Sequence, residues 1–197
     1  MTVLGITGGV GAGKSRVLEL LKEDHHAQII QADQVAKELE EPGQPGLAAL
    51  VERFGQGILD EEGRLDRNQF AGMIFRDQEA LLTVNGIIHP LVWNVIKERV
   101  AEADTGLVAV EAALFDERSR DICRYLVFVD TNRENRIKRL MENRGYSREK
   151  CLDIMRNQPD REAFLKLADY VIDNNGSLED VRRQIREMLE EITDEIS

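Results

Sequence analysis

Cysteine, histidine and long apolar runs are all sparse in this chain, and each scarcity excludes something. Its two cysteines, Cys123 and Cys151, give no disulfide framework and are expected as reduced, structural thiols. Three histidines offer no ligand cluster: His25 and His26 read as exposed turn residues, and His89 stands alone before a proline. No apolar run approaches the ~18 residues that span a bilayer. The apolar run after Met1 is short, lacks a basic leader and breaks into glycines, so no targeting signal is expected and the protein is expected to be cytoplasmic. Positive charge is also in deficit. Lysine and arginine number 26 against 37 acids, a net charge of −11, which argues against nucleic acid or an anionic membrane as partner. That balance leaves room for a local basic site for a phosphorylated ligand.

What remains is an ordinary globular composition, 42% hydrophobic and 32% charged over 197 residues, enough for one core and a small inserted domain. Short apolar runs at Val3–Thr7, Ala27–Gln31, Leu107–Ala113, Tyr125–Asp130 and Tyr170–Asp173 have the length and β-branched content of buried parallel strands. Charged segments of helical period separate them, which predicts an α/β fold with a five-stranded parallel sheet flanked by helices. The spacing is uneven: roughly seventy-five residues lie between the second and third runs, where a crossover needs only about a dozen. A helical insertion is therefore expected over residues 35–104, with Phe70, Ile74, Leu81, Val84, Ile88, Val92, Val95 and Ile96 near helical spacing. Pro90 is expected at a helix start or a kink. Ser177-Leu-Glu-Asp180 reads as a capping box, followed by an apolar stripe of Leu178, Val181, Ile185, Leu189, Ile192 and Ile196. No repeat or low-complexity segment is present.

Against this background the glycines are concentrated, with five between Gly5 and Gly13. Gly8-Gly-Val-Gly-Ala-Gly13-Lys14-Ser15 fits the pattern G-x-x-x-x-G-K-[ST]. Glycines let backbone N–H groups turn inward onto phosphate oxygens, the lysine brings a cation to the β- and γ-phosphates, and the serine hydroxyl can ligate Mg²⁺. A helix starting near Lys14 adds its positive end. The motif identifies a nucleoside triphosphate site without naming its use.

A GTPase would need N-K-x-D, which is absent; D-x-x-G occurs twice, at Asp60 and Asp173, and so carries little. A small kinase needs an acceptor pocket, a base and a basic lid. Between Arg133 and Arg161 stand nine basic residues against five acids, which fits either a lid closing over phosphates or a solvated helical face. Asp33, just past the second strand, fits either a base for an attacking hydroxyl or an N-cap for the following helix. Glu111 and Glu117 suit Mg²⁺ or substrate contact, and equally a salt bridge. His89 reads as structural or substrate-lining before it reads as catalytic.

At this point the residues resemble the bacterial dephospho-coenzyme A kinases. The likeness rests on "GITGGVGAGKS", "IIQADQVAKELEEPGQPGLAALVERFG", "LDRNQFAGMIF", "NGIIHPL", "VFVDTNRENRIKRLMENRGYSRE" and "ADYVIDNNGSLEDV", in that order. The resemblance implies phosphorylation of the ribose 3′-hydroxyl of dephospho-coenzyme A by ATP with Mg²⁺, on a P-loop core (residues 1–34 and 105–197). It implies a substrate-binding insertion (35–104) and a lid (about 133–161). It assigns Asp33, Lys14 and Arg139 to catalysis and Gly11, Ala12, Gly13, Lys14, Ser15, Arg16 and Asn174 to the nucleotide, with Ser15 on the metal. A monomer or weak homo-oligomer is expected. The chain departs from the family pattern at Gln31, where an acid is common, at Arg16 in place of threonine, at Ala112-Ala113 in place of a proline, and at Asn143-Arg144, which shifts a lid arginine by one place. The alternatives are a nucleoside or nucleotide kinase and a non-catalytic ATP-binding protein.

Overall fold

The computed structural model describes residues 1–196, without the side chains of Phe75, Arg76, Glu117, Arg118 and Ile196. The expectations placed on the Glu117 and Ile196 side chains lie outside the described residues. Five strands, β1 (Thr2–Thr7), β2 (Gln28–Gln31), β3 (Leu107–Glu111), β4 (Tyr125–Asp130) and β5 (Tyr170–Asp173), form one parallel sheet in the order β2-β3-β1-β4-β5. The central strands are almost wholly apolar because both faces are covered. Leu4, Ile6, Ala109, Val127 and Val129 are buried against α1 (Lys14–His25) and α10 (Leu178–Ile196). From β1 the chain crosses to β2 on one side, and from β3 it crosses to β4 on the other. The carboxyl ends of β1 and β3 therefore flank a topological switch point, where open α/β sheets bind ligands.

The first strand ends at Thr7 as expected but starts one residue earlier, at Thr2, and the third starts at Leu107 as expected but ends at Glu111 rather than Ala113. The Ala112 N–H still reaches the Ile6 carbonyl (3.2 Å), whereas the Ala113 carbonyl accepts from the Thr7 hydroxyl (3.2 Å) and leaves the ladder. The second strand starts at Gln28, one residue later than expected. The capping box forms: the Ser177 Oγ accepts from the Asp180 N–H (3.2 Å), and the Asp180 carboxylate accepts from the Ser177 N–H (3.1 Å). In α10 the buried stripe is Val181, Ile185, Met188 and Ile192; Leu178, in the first turn, is exposed.

Backbone contacts divide the chain into two compact units, residues 1–29 with 103–197 and residues 30–102. The second unit is helical: α2 (Ala32–Leu39), α3 (Pro45–Phe54), a short 3₁₀ turn at Gln56–Ile58, α4 (Arg67–Arg76) and α5 (Gln78–Ala101). Asp66 and Asp77 cap α4 and α5 by accepting from N–H groups in their first turns. Helix α5 runs on through Pro90, which is therefore inside a helix and not at a start. Length and composition alone would let α5 cross a membrane. Its apolar stripe is instead used inside this unit, where Val84, Ile88, Val92, Trp93 and Ile96 are buried; Leu81 is exposed. Phe54 and Phe70 meet edge to face, 5.6 Å between centroids.

Both cysteines are free and buried. Burial pushes the Cys123 thiol up to about 12, against the opposing pull of Arg120. In the unfolded chain a thiol ionises near 8.5, so the neutral buried form contributes stability that is present below about pH 8.5 and is lost as pH rises toward 12. The urea midpoint of the wild type should fall more steeply than that of Cys123→Ala between about pH 8.5 and 10. On α10, Ile185→Ala should cost about 2–5 kcal/mol and Ser177→Ala about 1 kcal/mol, read from urea unfolding. Equal costs would mean that the cap matters as much as the buried stripe.

Candidate functional site

Between β1 and α1 the chain must turn sharply with its N–H groups on the inside. Gly11 (φ 75°) and Gly13 (φ 89°) make this possible, because both sit in the left-handed region. Neither tolerates a side chain. A Cβ on Gly11 would lie 2.9 Å from the Arg136 carbonyl oxygen, and one on Gly13 would overlap the Asn174 side-chain nitrogen. The loop closes on itself through Ala12 N–H to the Gly9 carbonyl (3.0 Å), and Arg16 N–H returns to Gly13 (3.0 Å). Helix α1 begins at Lys14 with no side chain capping it, so its positive end faces the loop. The Lys14 Nζ donates to the Gly8 carbonyl (2.9 Å) and lies 3.4 Å from the Glu111 carboxylate, at the end of β3.

The outer side of the loop is held by donors from distant elements. The Ala12 carbonyl accepts from Thr131 Oγ1 (2.8 Å), Arg139 Nη1 (3.1 Å) and Asn174 Nδ2 (2.7 Å). Arg139 also donates to the Asn174 carbonyl (2.8 Å). Asn174 is buried, and its own N–H donates to the Asp130 carbonyl (2.8 Å). The Val10 carbonyl accepts from Arg136 Nε (2.8 Å), and the Val10 N–H donates to Gln158 Oε1 (2.9 Å). Burial pulls the Arg136 pKa down, and the charge of Asp130 partly offsets this.

These contacts revise the basic segment. Residues 133–161 contain α7 (Arg133–Arg144), α8 (Arg148–Arg156) and the start of α9 (Arg161–Leu167). Its cations are not a pool of loose positive charge. Arg148 pairs with Glu134 (2.8 Å), Arg156 with Asp153 (2.7 Å), Arg161 with Asp130 (2.7 Å) and Lys138 with Glu142 (4.0 Å). Lys150 lies over the Tyr146 ring, 4.0 Å from its centroid. Arg136 and Arg139 are turned onto the loop. Arg144 is exposed and makes no ion pair among the described residues.

Ser15 and Arg16 are exposed in the first turn of α1. Among the described residues no group of three or more His, Cys, Asp or Glu is arranged to hold a metal. Mg²⁺ carried by phosphates keeps most of its waters and takes only one or two protein oxygens. Ser15 and Glu111 offer such oxygens. In the helical unit Asp33 is exposed, one residue inside α2, while the cap position is that of Gln31, whose side chain makes no cap bond to the helix N–H groups. The capping alternative for Asp33 is thereby removed. His89 is exposed on α5. Local pattern gave no signal for Thr131 or Gln158, whose partners lie 119 and 148 residues away.

The family model for dephospho-CoA kinases matches residues 2–180. The chain belongs to the dephospho-CoA kinase family. A dephospho-CoA kinase of Corynebacterium glutamicum is 40% identical over 201 residues, covering 98% of this chain and 100% of that one. The solved structure of TT1252 from Thermus thermophilus superposes with a TM-score of 0.79 at 31% identity, covering 96% of this chain and 97% of that one. A dephospho-CoA kinase from Campylobacter jejuni, 23% identical and covering 99% and 98% of the two chains, shares the fold with a TM-score of 0.69. Family membership makes the chain a kinase of the last step of coenzyme A biosynthesis.

Gly13→Ala should weaken ATP binding at least tenfold, since the left-handed backbone alone costs about 1–2 kcal/mol with a Cβ and the overlap with Asn174 adds to it. Gly55→Ala is the control, because its φ of 82° is similar but nothing lies within 4 Å of its Cβ. It should lose stability and leave ATP affinity, measured by calorimetry, unchanged.

Proposed function

We propose that the chain transfers the γ-phosphoryl group of ATP to the ribose 3′-hydroxyl of dephospho-coenzyme A, giving coenzyme A and ADP. The observation that carries this reading is the Gly8–Ser15 loop, with Lys14 poised between the Gly8 carbonyl and Glu111, in a chain of this family. The loop N–H groups of Gly11, Gly13, Lys14 and Ser15 and the positive end of α1 take the β- and γ-phosphates. Lys14 exchanges its neutral carbonyl partner for phosphate oxygens, a stronger charge-assisted bond. The acceptor oxygen attacks in line, the new O3′–P bond forms as the bond from γ-phosphorus to the β,γ-bridging oxygen breaks, and ADP departs with the electron pair. Asp33 receives the hydroxyl proton. Its exposed carboxylate, unencumbered by a capping bond, is suited to that role.

Arg139 contributes positive charge next to the loop and holds Ala12 in place; Asn174 shares that anchoring and borders the nucleotide. Mg²⁺ entering with ATP would neutralise charge shared by the β- and γ-oxygens, and Ser15 would help to hold it. Residues 35–104 bind the acceptor, and residues 133–161 serve as the lid. The enzyme works in the cytoplasm as a monomer or weak homo-oligomer, without nucleic acid or membrane.

A coupled ADP assay across acceptors tests the reading, with turnover expected only on dephospho-coenzyme A. Turnover on nucleoside monophosphates instead would make the chain a nucleotide kinase. ATP binding with no ADP from any acceptor would make it a binding protein. Asp33→Asn should keep ATP affinity within twofold and lower kcat by about 10²–10⁴-fold, the usual worth of a general base. Retained kcat would remove Asp33 from the chemistry.

A further inference from the structure

Val10 is held by the 133–161 segment at its N–H, its carbonyl and its side chain. Its carbonyl accepts from Arg136 Nε (2.8 Å) on α7, and its N–H donates to Gln158 Oε1 (2.9 Å), just beyond α8. Its side chain packs on the cluster of Ile137, Leu140 and Cys151. Gln158 Oε1 also accepts from Arg136 Nη2 (3.1 Å). Both partners of that oxygen are donors, which fixes the orientation of the amide.

We infer that Gln158 is a positioning residue for ATP: its side-chain oxygen ties Arg136 to the Val10 N–H, and so holds the phosphate loop in the shape that nucleotide requires. With its N–H and its C=O both held, on the two peptide units that flank its Cα, Val10 cannot rotate freely about either backbone bond. The next residue is a glycine, Gly11, whose backbone has a wide range open to it. Without the Gln158 tie, Val10 and Gly11 sample conformations in which the following N–H groups no longer converge. The bound fraction then depends on how often the competent shape occurs, and the apparent affinity falls by that fraction. Once ATP is seated, its phosphates hold the loop themselves. The penalty thus falls on KM for ATP and spares the chemical step.

This inference rests on the reading of Gly8–Ser15 as the phosphate loop, so calorimetric titration of the wild type with ATP comes first; no binding there would sink that reading and not merely the role of Gln158. Gln158→Ala and Gln158→Leu, the second of similar size but without the oxygen, are then assayed with ATP and dephospho-coenzyme A varied in turn. KM for ATP should rise about 3–10-fold in both, the factor set by one net hydrogen bond. kcat and KM for the acceptor should stay within twofold and the melting temperature should be unchanged. An unaltered KM for ATP in either folded variant overturns the inference. So does a parallel rise in both KM values or a fall in kcat alone, since a merely structural or directly catalytic Gln158 would give those results.

Discussion

A peptide group points its N–H and its C=O in opposite directions, and the site is organised around that fact. A loop that turns several N–H groups toward an anion must turn carbonyls away from it. Those carbonyls would be costly if buried without donors. Here each has one. The Gly8 carbonyl takes Lys14, the Val10 carbonyl takes Arg136, and the Ala12 carbonyl takes Thr131, Arg139 and Asn174. Most of these donors come from strands and helices far along the chain, so the loop acquires its shape only when the sheet is assembled. Left-handed glycines permit the shape; the donors behind the loop select it.

The same argument explains how a chain of net charge −11 serves an anionic ligand. At the loop, positive charge is set against particular backbone oxygens. Elsewhere in residues 133–161 Lys138, Arg148, Arg156 and Arg161 face carboxylates at 2.7–4.0 Å. Exposed ion pairs stabilise little and are screened by salt. The electrostatic work of the segment therefore rests on the two arginines that leave the surface, Arg136 and Arg139. Counting charges along the sequence located the segment correctly as basic, but could not say which residues face the loop.

The fold was legible where local physics decides. Five apolar runs, the gap between the second and third, the capping box and the G-x-x-x-x-G-K-S spacing all depend on neighbours in sequence. Boundaries were less legible. Ala113 is as apolar as a strand residue, but its carbonyl serves Thr7, a partner that sequence does not reveal. Pro90 reads as a helix start or a kink, and α5 carries it in its interior because tertiary packing of Ile88, Val92, Trp93 and Ile96 outweighs one missing N–H. Of the site, the residues of the loop could be read directly. Its supports could not, since glutamine and threonine carry no signature until the fold brings them within 3 Å of a loop carbonyl or N–H.

Asn174 shows how one position can carry both constraints. Its backbone N–H ends the β5 ladder on the Asp130 carbonyl, its side chain anchors Ala12, and its carbonyl receives Arg139. It also fills the space that a Cβ on Gly13 would need. The loop glycine and the buried asparagine are thus a matched pair: Gly13 is required not only for its left-handed φ but because Asn174 is close enough to bond Ala12. A larger residue at 13 would push the amide away, release the Ala12 carbonyl and leave Arg139 as its remaining charged donor. Sequence motifs record the glycine as a property of the loop. The structure makes it a property of the contact between the loop and the end of β5.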